Sequence, residues 1–406
     1  MDINKIKSQF PIFSKKINGK KLVYLDSSNS SQKPLAVINK LNNFYKNEFS
    51  NIGRSIHSLA VNATNKFEET RVSVKNFINA KFKEEIIFTK NATEAINLVA
   101  TTFGQQNIKE GDEIIITELE HHSNYVPWHF LRETKKAIIK FAPINEDGDV
   151  VIEKFKELIT SKTKIVAITH LSNVTGTIVP IREIVEIAHK KNIPVLVDGC
   201  QSAPHIKVDV SDLDCDFYAF SGHKVYGPTG VGILYAKKKW LEKLPPYIGG
   251  GAMISEVKKD KITYAPIPEK YEAGTMPTAE VITFNESIKF VKSIGMDKLI
   301  KHEKEITNYA LEKLKKINSV KIIGNPKNRA GVISFTIKGV HPHDISTIVD
   351  EEGVAIRAGH HCCQILHTKL NLSATARASI GIYNTKEDID ILCKALENCR
   401  KIFDQK

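Results

Sequence analysis

Strand-length apolar runs alternate with helix-period segments along much of the first 235 residues. The helical patterns include Thr64–Ala80 and Thr93–Phe103. This alternation predicts an α/β fold, in which helices cover both faces of a mostly parallel sheet. The predicted strands are Glu85–Thr89, Glu113–Thr117, Ala137–Phe141, Ile165–His170, Pro194–Asp198, Phe217–Phe220 and Val231–Tyr235.

The flanks of this alternating region have a different pattern. Residues 1–21 predict a short helical lead-in, followed by a strand at Leu22–Asp26, and residues 247–275 predict a loop-rich stretch. Beyond a long helical segment at Ala279–Ser293, the pattern predicts a smaller C-terminal domain. Its predicted elements are a helix at Lys298–Ile317 and strands at Val320–Ile323 and Ala330–Ile337.

Composition is that of a soluble globular protein, with 406 residues, 42% hydrophobic and 26% charged. This length suffices for two domains. No run approaches the roughly 18 apolar residues of a membrane helix, and the first residues lack the hydrophobic region of a signal peptide. Six cysteines without a Cys-x-x-Cys pair do not form a disulfide framework. We therefore expect a reducing, cytoplasmic location.

The formal net charge of +12 raises the question of nucleic-acid binding. The lysines are scattered, however, and the short clusters Lys237–Lys239, Lys258–Lys259 and Lys313–Lys316 are typical of solvated faces. We therefore predict no nucleic-acid partner. A basic surface instead favours an acidic protein partner.

A polar turn with Lys224 at its centre separates two of the predicted buried strands. A lysine held near a core tends toward the neutral amine, which can form a Schiff base. A surface lysine on a loop is the ordinary alternative. Ser221 and His223 lie beside Lys224 and offer further hydrogen-bonding groups for a phosphate.

Two further signals suit one cofactor. Asp198 follows a predicted strand, at the sheet edge where α/β proteins bind ligands, although an Asp before Gly is often only a turn. Asn91 or Thr93 can cap a helix whose N-terminal amides would face an anion, although capping alone is frequent. A carboxylate for a pyridine nitrogen, a lysine for an aldehyde and an anion site for a phosphate are what pyridoxal phosphate (PLP) needs.

The C-terminal part carries a second candidate reactive group. Cys362 lies near Arg357 and His361, which favour a nucleophilic thiolate, although a lone cysteine is more often buried and inert. Downstream, the planar guanidinium of Arg377 suits a bidentate grip on a carboxylate, with a surface salt bridge as its alternative.

Neither histidine-containing run predicts a metal site. His121 and His122 have no matching cluster at ligand spacing. The four successive side chains at 360–363 cannot easily surround one tetrahedral ion.

Four motifs, in order along the chain, carry a resemblance to a known family. They are HLSNVTGT at 170–177, VDG at 197–199, SGHK at 221–224 and RAGHHC at 357–362. Together they resemble the cysteine desulfurases, in particular the group II, SUF-type members, along essentially the whole chain. These are fold-type I PLP-dependent transferases. The resemblance implies a mostly parallel seven-stranded sheet flanked by helices in a large PLP-binding domain, residues 22–288. It also implies a smaller α+β domain, residues 1–21 and 289–406, which carries the loop of the catalytic cysteine.

The resemblance also implies roles for individual residues. Lys224, Cys362 and His121 are expected to be catalytic, with His121 stacking on the cofactor ring. The expected substrate-binding residues are Asn173, Arg357, Arg377 and, reaching a neighbouring subunit, Arg54. The expected cofactor-binding residues are Ala92, Thr93, His121, Asn173, Asp198, Gln201, Ser221, His223, Lys224 and, at the partner's phosphate, Thr275.

The implied reaction converts L-cysteine to L-alanine. The sulfur would move to Cys362 as a persulfide and then to an acceptor protein of the SUF type, for iron–sulfur cluster assembly. A homodimer with active sites at its interface is expected.

Several positions depart from the family's usual residues, namely Ser28, Asn29, Gly53 and Met276, and Cys363 is an added thiol. Because of these departures, a PLP lyase acting on L-selenocysteine or cysteine sulfinate stays open as the alternative. A binding scaffold without activity is disfavoured, because Asp198, Lys224, Cys362 and Arg377 are all present.

Overall fold

The computed structural model describes residues 1–53 and 55–404. Its strands are β1 Lys16–Ile17, β2 Lys20–Lys21, β3 Val23–Tyr24, β4 Ile86–Thr89, β5 Glu113–Thr117, β6 Ile138–Ala142, β7 Thr163–Thr169, β8 Val195–Asp198, β9 Phe217–Ser221, β10 Gly232–Ala236, β11 Ile254–Val257, β12 Ile262–Tyr264, β13 Val320–Ile322, β14 Val332–Ile337, β15 Val354–Ala355, β16 Arg357–Gly359 and β17 Thr375–Ser379.

Residues 1–53 and 55–404 also form α-helices. They are α1 Ile3–Lys7, α2 Leu35–Asn43, α3 Ser58–Phe77, α4 Ala92–Asn107, α5 Val126–Lys135, α6 Ile152–Leu158, α7 Ile181–His189, α8 Ser202–His205, α9 Val210–Leu213, α10 Lys238–Lys243, α11 Thr278–Ile294, α12 Met296–Lys315, α13 Pro342–Glu351, α14 Gln364–Lys369 and α15 Lys386–Asp404. None of these helices combines the length and the apolar character that a membrane crossing needs.

The central sheet has seven strands in the order β4-β10-β9-β8-β7-β5-β6. β10 is antiparallel to both of its neighbours, and the other pairs are parallel. The mostly parallel α/β sheet predicted from the alternating pattern is therefore confirmed. All seven predicted strands are present, with ends shifted by at most two residues.

The apolar pattern explains why this sheet is buried on both faces. Alternate residues of a strand point to opposite faces, so Ile86 and Phe88 of β4 pack in one hydrophobic cluster and Ile87 in another. Helices α3, α7 and α11 supply the first cluster, and α4, α5 and α10 the second. A sheet covered on both faces leaves its strand ends as the place for a ligand.

A second sheet lies in the C-terminal part of the chain. Its order is β13-β14-β17-β16, its pairs are antiparallel, and it shares a separate hydrophobic cluster with α12, α13 and α15. The predicted C-terminal helix and strands are therefore present, with shifted ends. β3 pairs with β15 in parallel, so residues 23–24 contact this C-terminal part. The domain bounds at residues 22 and 288 stay a prediction.

Two segments differ from the predictions. The lead-in is helical only at α1 and in the 3₁₀ turn Pro11–Ser14, after which β1 and β2 form a hairpin. The stretch predicted as loop contains the hairpin of β11 and β12. Both hairpins are short and mostly exposed, so neither shows the apolar run that marks a buried strand.

Candidate active site

A cavity of about 310 Å³ opens at the carboxyl ends of the parallel strands. It brings together most of the predicted site residues, which are Ala92, Thr93, His121, Asn173, Asp198, Gln201, Ser221, His223, Lys224, Arg357, Cys362 and Arg377. Residues after β4, β5, β7, β8 and β9 form one side, and β16, β17 and the loop between them form the other.

The turn that carries Lys224 is a single 3₁₀ turn, Gly222–Lys224, between β9 and β10. Its start is tied to the sheet, since Gly222 N donates to Val231 O at 2.9 Å. Lys33 holds the turn from the other side, with Nζ donating to His223 O at 2.8 Å. Burial lowers the pKa of Lys33 to about 7. Lys33 had no predicted role, since it follows a polar stretch that carries no apolar pattern.

Asp198 is the last residue of β8 and is only 3% exposed. Its Oδ1 accepts a hydrogen bond from Cys200 N at 2.9 Å. The backbone after it must lie close to Tyr218, because a Cβ on Gly199 would meet the Tyr218 ring at 2.1 Å. A buried carboxylate fixed at the strand end suits a protonated ring nitrogen.

The N-terminus of α4 forms another wall of the cavity. Asn91 is its N-cap, with the side chain accepting from Glu94 N at 2.9 Å, which decides between the two predicted caps. Ala92 N donates to Ser221 Oγ at 2.9 Å, and Thr93 Oγ1 lies 2.7 Å from Ser123 Oγ. These hydroxyls and the helix N-terminus are suited to an anion.

His121 follows β5 in the chain and lines the cavity as a neutral imidazole. Burial, together with the charge of Lys224, lowers the pKa of His121 to about 3. Its Nδ1 accepts a hydrogen bond from Ser123 N at 3.1 Å, which requires that nitrogen to be unprotonated. A neutral ring at this position can pack against an aromatic ring.

The loop of Cys362 has an unusual backbone. His361 has φ of 51° and Cys362 has φ of 57°, a region that non-glycine residues rarely adopt. Two hydrogen bonds from the other side of the cavity hold it. Asn173 Nδ2 donates to His361 O, and His122 N donates to Cys362 O, both at 2.7 Å. Arg357 Nη2 lies 3.9 Å from Cys362 Sγ.

The two predicted arginines differ in their surroundings. Arg377 on β17 is buried, and its Nη1 donates to Asn173 O at 3.0 Å while its Nη2 pairs with Asp26 at 3.2 Å. Burial lowers the pKa of Arg377. Arg357 on β16 is half-buried and donates to Asn29 Oδ1 at 2.9 Å. Asp26 had no predicted role, although it ends the apolar run that predicted the first strand.

Among the predicted residues that the structure describes, Thr275 does not line this cavity in one chain. Thr275 lines a separate cavity of about 600 Å³, together with Gly53 and Met276. The buried ion pair of Arg71 and Glu272 also lines it, with Nη1 and Oε1 2.8 Å apart. Arg54 lies outside the described residues. The roles predicted for both residues stay predictions.

The cavity fits PLP by its chemistry. Within the described ranges, buried polar atoms of several lining residues have no hydrogen-bond partner in the protein. They are Ser28 Oγ, Gln201 Oε1, His361 Nδ1 and Arg377 Nε. A bound polar ligand would satisfy such groups. A lysine, a buried carboxylate and a helix N-terminus in the same cavity match an aldehyde, a ring nitrogen and a phosphate.

Comparison with known protein families decides the family. The model of the aminotransferase class-V family matches residues 23–392. The chain belongs to this family. Members of the family are PLP-dependent, which confirms the cofactor expected from the sequence.

Full-length relatives show which members of this family the chain is similar to: they are probable cysteine desulfurases. A probable cysteine desulfurase of Halalkalibacterium halodurans is 49% identical, over 99% of both chains. A probable cysteine desulfurase of Staphylococcus aureus is 50% identical, over 99% of this chain and 98% of the relative. The resemblance drawn from the four motifs is therefore confirmed.

Solved structures agree. The cysteine desulfurase CsdA of Escherichia coli, in an S-sulfonic acid form, superposes with a TM-score of 0.93 at 35% identity over 99% of both chains. A cysteine desulfurase of Thermococcus onnurineus gives 0.93 at 34% identity over 98% of both chains. The fold-type I architecture is therefore confirmed.

Proposed function

We propose that this chain is a PLP-dependent cysteine desulfurase that converts L-cysteine to L-alanine and carries the sulfur on Cys362. The full-length similarity to cysteine desulfurases supports this reaction. The observation that carries the assignment to residues is the cavity itself, in which Lys224, Asp198 and Cys362 lie together.

Bound PLP supplies an electron-withdrawing ring that accepts electron density from the substrate Cα. Lys224 would hold the aldehyde carbon and, once released from it, carry the proton of the substrate Cα. Asp198 would hold the proton on the ring nitrogen, and the neutral His121 would pack on the ring. Ala92, Thr93, Ser221 and His223 would surround the phosphate.

Other groups of the cavity would bind the substrate. Arg377 and Arg357 offer guanidinium groups for its carboxylate, with Arg377 fixed by Asp26 and by Asn173 O. Asn173 and Gln201 already use part of their amides within the protein. Asn173 Nδ2 donates to His361 O, and Gln201 Nε2 donates to Ser28 O, both at 2.7 Å. We propose that their remaining capacity faces the cofactor and substrate.

The sulfur step joins the two sides of the cavity. Cys362 Sγ, as thiolate, would form a bond with the substrate sulfur while the bond from that sulfur to Cβ breaks. The electron pair stays on carbon, which takes up a proton and becomes the methyl group of alanine. Cys362 then carries a persulfide, and a thiol acceptor or a reductant removes the outer sulfur. Arg357 Nη2, 3.9 Å from Sγ, is the guanidinium group that contacts the reacting thiol.

The assignment is tested with L-cysteine and purified enzyme, comparing wild type with Cys362→Ala. We expect equal amounts of alanine and sulfide from wild type in the presence of a reductant, and neither from the variant. Cys393→Ala, a buried thiol on α15, is the matched control and should behave as wild type. Undiminished release of both products from Cys362→Ala would contradict the role of Cys362.

The oligomeric state, the sulfur acceptor, the cellular location and the domain bounds are part of the same proposal. We propose that two copies form a homodimer, with Thr275 and Arg54 completing the partner's site. Exposed large apolar side chains support this, including Tyr45, Phe49 and Leu59, which are close in sequence to residues that line the Thr275 cavity. We also propose a SUF-type acceptor protein, use of the sulfur in iron–sulfur cluster assembly, a cytoplasmic location, and a large domain bounded near residues 22 and 288. Six free cysteines support the reducing location.

A further inference from the structure

Cys363 lies directly after the proposed nucleophile, yet its side chain does not line the cavity. It is fully buried, whereas Cys362 is half-buried and lines the cavity. Its backbone N donates to His360 O at 2.9 Å, and its carbonyl accepts from His367 Nδ1 at 2.9 Å. The residue is therefore anchored on both sides of its Cα, and its thiol points away from solvent.

The thiol has a defined polar contact. Cys363 Sγ lies 2.9 Å from Asn173 Oδ1 and 3.9 Å from Leu119 O. Both are acceptors, so the thiol is the donor. Burial raises the pKa of Cys363, which keeps the proton on sulfur.

The Cys363 thiol supports one orientation of the Asn173 amide. Nδ2 of the same amide donates to His361 O at 2.7 Å. Were the amide flipped, Oδ1 would face a carbonyl oxygen, and Nδ2 would face a sulfur that is only a weak acceptor. The S–H donor therefore favours the orientation in which Nδ2 holds the strained turn at His361 and Cys362.

We propose that Cys363 is a positioning residue for the sulfur step: its thiol orients the Asn173 amide, and that amide fixes the backbone of Cys362. The inference rests on the proposed role of Cys362. It gives the added thiol a function that requires neither a disulfide with Cys362 nor transfer of sulfur to Cys363.

The test compares Cys363→Ala and Cys363→Ser with wild type. The alanine variant lacks the donor, and the serine variant restores an O–H in its place. Cys215→Ala removes another fully buried thiol that lies outside the cavity and is the matched control. Two quantities are measured at equal cofactor content, the single-turnover rate of persulfide formation at saturating L-cysteine and the amide hydrogen exchange of residues 360–364.

We expect Cys363→Ala to form persulfide about three- to tenfold more slowly, as for one lost buried hydrogen bond. Exchange at 360–364 should quicken in parallel. Cys363→Ser should recover most of both, and Cys215→Ala should change neither. Wild-type rate and exchange in Cys363→Ala would overturn the inference, as would equal losses in the alanine and serine variants, which would indicate space-filling alone.

Hydrogen exchange separates this inference from the proposed function. If wild type forms no persulfide, the proposed function fails, and the exchange comparison still decides whether Cys363 holds the loop. If wild type forms persulfide and Cys363→Ala matches it in rate and exchange, only the positioning role fails.

Discussion

The two sides of the cavity are held in place by different means. Asp198 and the turn of Lys224 follow directly from buried strands, so the sheet fixes their positions. The loop of Cys362 has two successive non-glycine residues at positive φ and is held by hydrogen bonds from Asn173 and His122. The cofactor side is thus fixed by regular structure, whereas the sulfur side depends on a few separate contacts. Substitutions on the cofactor side should therefore abolish activity or lower stability, and substitutions on the sulfur side should slow persulfide formation.

The largest effect is expected from Lys224→Ala on the cofactor side. Loss of the amine should lower turnover of L-cysteine by about a thousandfold or more, because no other group replaces its two roles. The absorbance of a cofactor joined to the protein through an imine should also disappear. Lys190→Ala, an exposed lysine, is the control and should retain both. A spectrum kept by Lys224→Ala would show that another lysine holds the cofactor.

Gly232→Ala should reveal how rigid the cofactor side is. A Cβ at this residue of β10 would lie 2.2 Å from the carbonyl carbon of Asn91, so the start of α4 must move. We expect a loss of about 3 kcal/mol in the free energy of unfolding, as for an overpacked core, and weaker cofactor binding. Denaturant titration and cofactor titration measure these two quantities.

The matched control for this change is Gly249→Ala, where an added Cβ meets nothing within 4 Å. It should unfold as wild type does. Equal stability of Gly232→Ala and wild type would show that the α4 terminus yields readily, which would weaken the contrast between the two sides.

Asn173→Ala should release the sulfur side while the fold persists. It removes the hydrogen bond to His361 O and leaves the Cys363 thiol without that acceptor. We expect persulfide formation to slow by about tenfold or more, since two buried hydrogen bonds are lost. Rapid-quench measurement of the persulfide gives the rate, and Asn308→Ala on the exposed face of α12 is the control. An unchanged rate would mean that other contacts suffice to hold the loop.

The smallest effect is expected from His223→Gln and depends on pH. Burial, with the charges of Lys224 and Lys33, lowers the pKa of His223 from 6.5 to about 4. Between these values the unfolded chain binds more protons than the folded one, so stability falls as the pH drops through this window.

The glutamine variant lacks that proton uptake. It should therefore lose less stability between pH 6.5 and pH 5.5 than wild type, by about 1 kcal/mol or less. Urea titrations at the two pH values measure the difference. Asn308→Ala, which removes no titratable group, should keep the wild-type slope, and a wild-type slope in His223→Gln would contradict the burial argument.

The sequence predicted the cofactor side better than the sulfur side, for a physical reason. Strands such as β8 and β9 are continuous apolar runs, so their ends, and with them Asp198 and Lys224, could be placed from local pattern alone. The contacts that hold Cys362 join residues far apart in the chain, such as Asn173 and His361. No local pattern encodes such pairs, and resemblance alone brought Asn173 and Cys362 into one predicted site.

Other features escaped prediction because they depend on burial. In the sequence, Lys33 has the character of a polar loop residue. Only the fold reveals that its Nζ donates a hydrogen bond to His223 O. The orientation of the Cys363 thiol is likewise set by φ at the two residues before it, which the sequence does not display. The two hairpins were missed because they are short and exposed.

The parallel pairing of β3 with β15 has a consequence for the order in which the molecule is completed. A ribosome releases residues 23–24 early, but their partner strand only after most of the chain has been made. Until then the segment that continues to Lys33 lacks this strand partner, and Arg357, Cys362 and Arg377 are missing from the cavity. The central sheet can assemble during synthesis, whereas the site at its edge is finished only when the C-terminal half arrives.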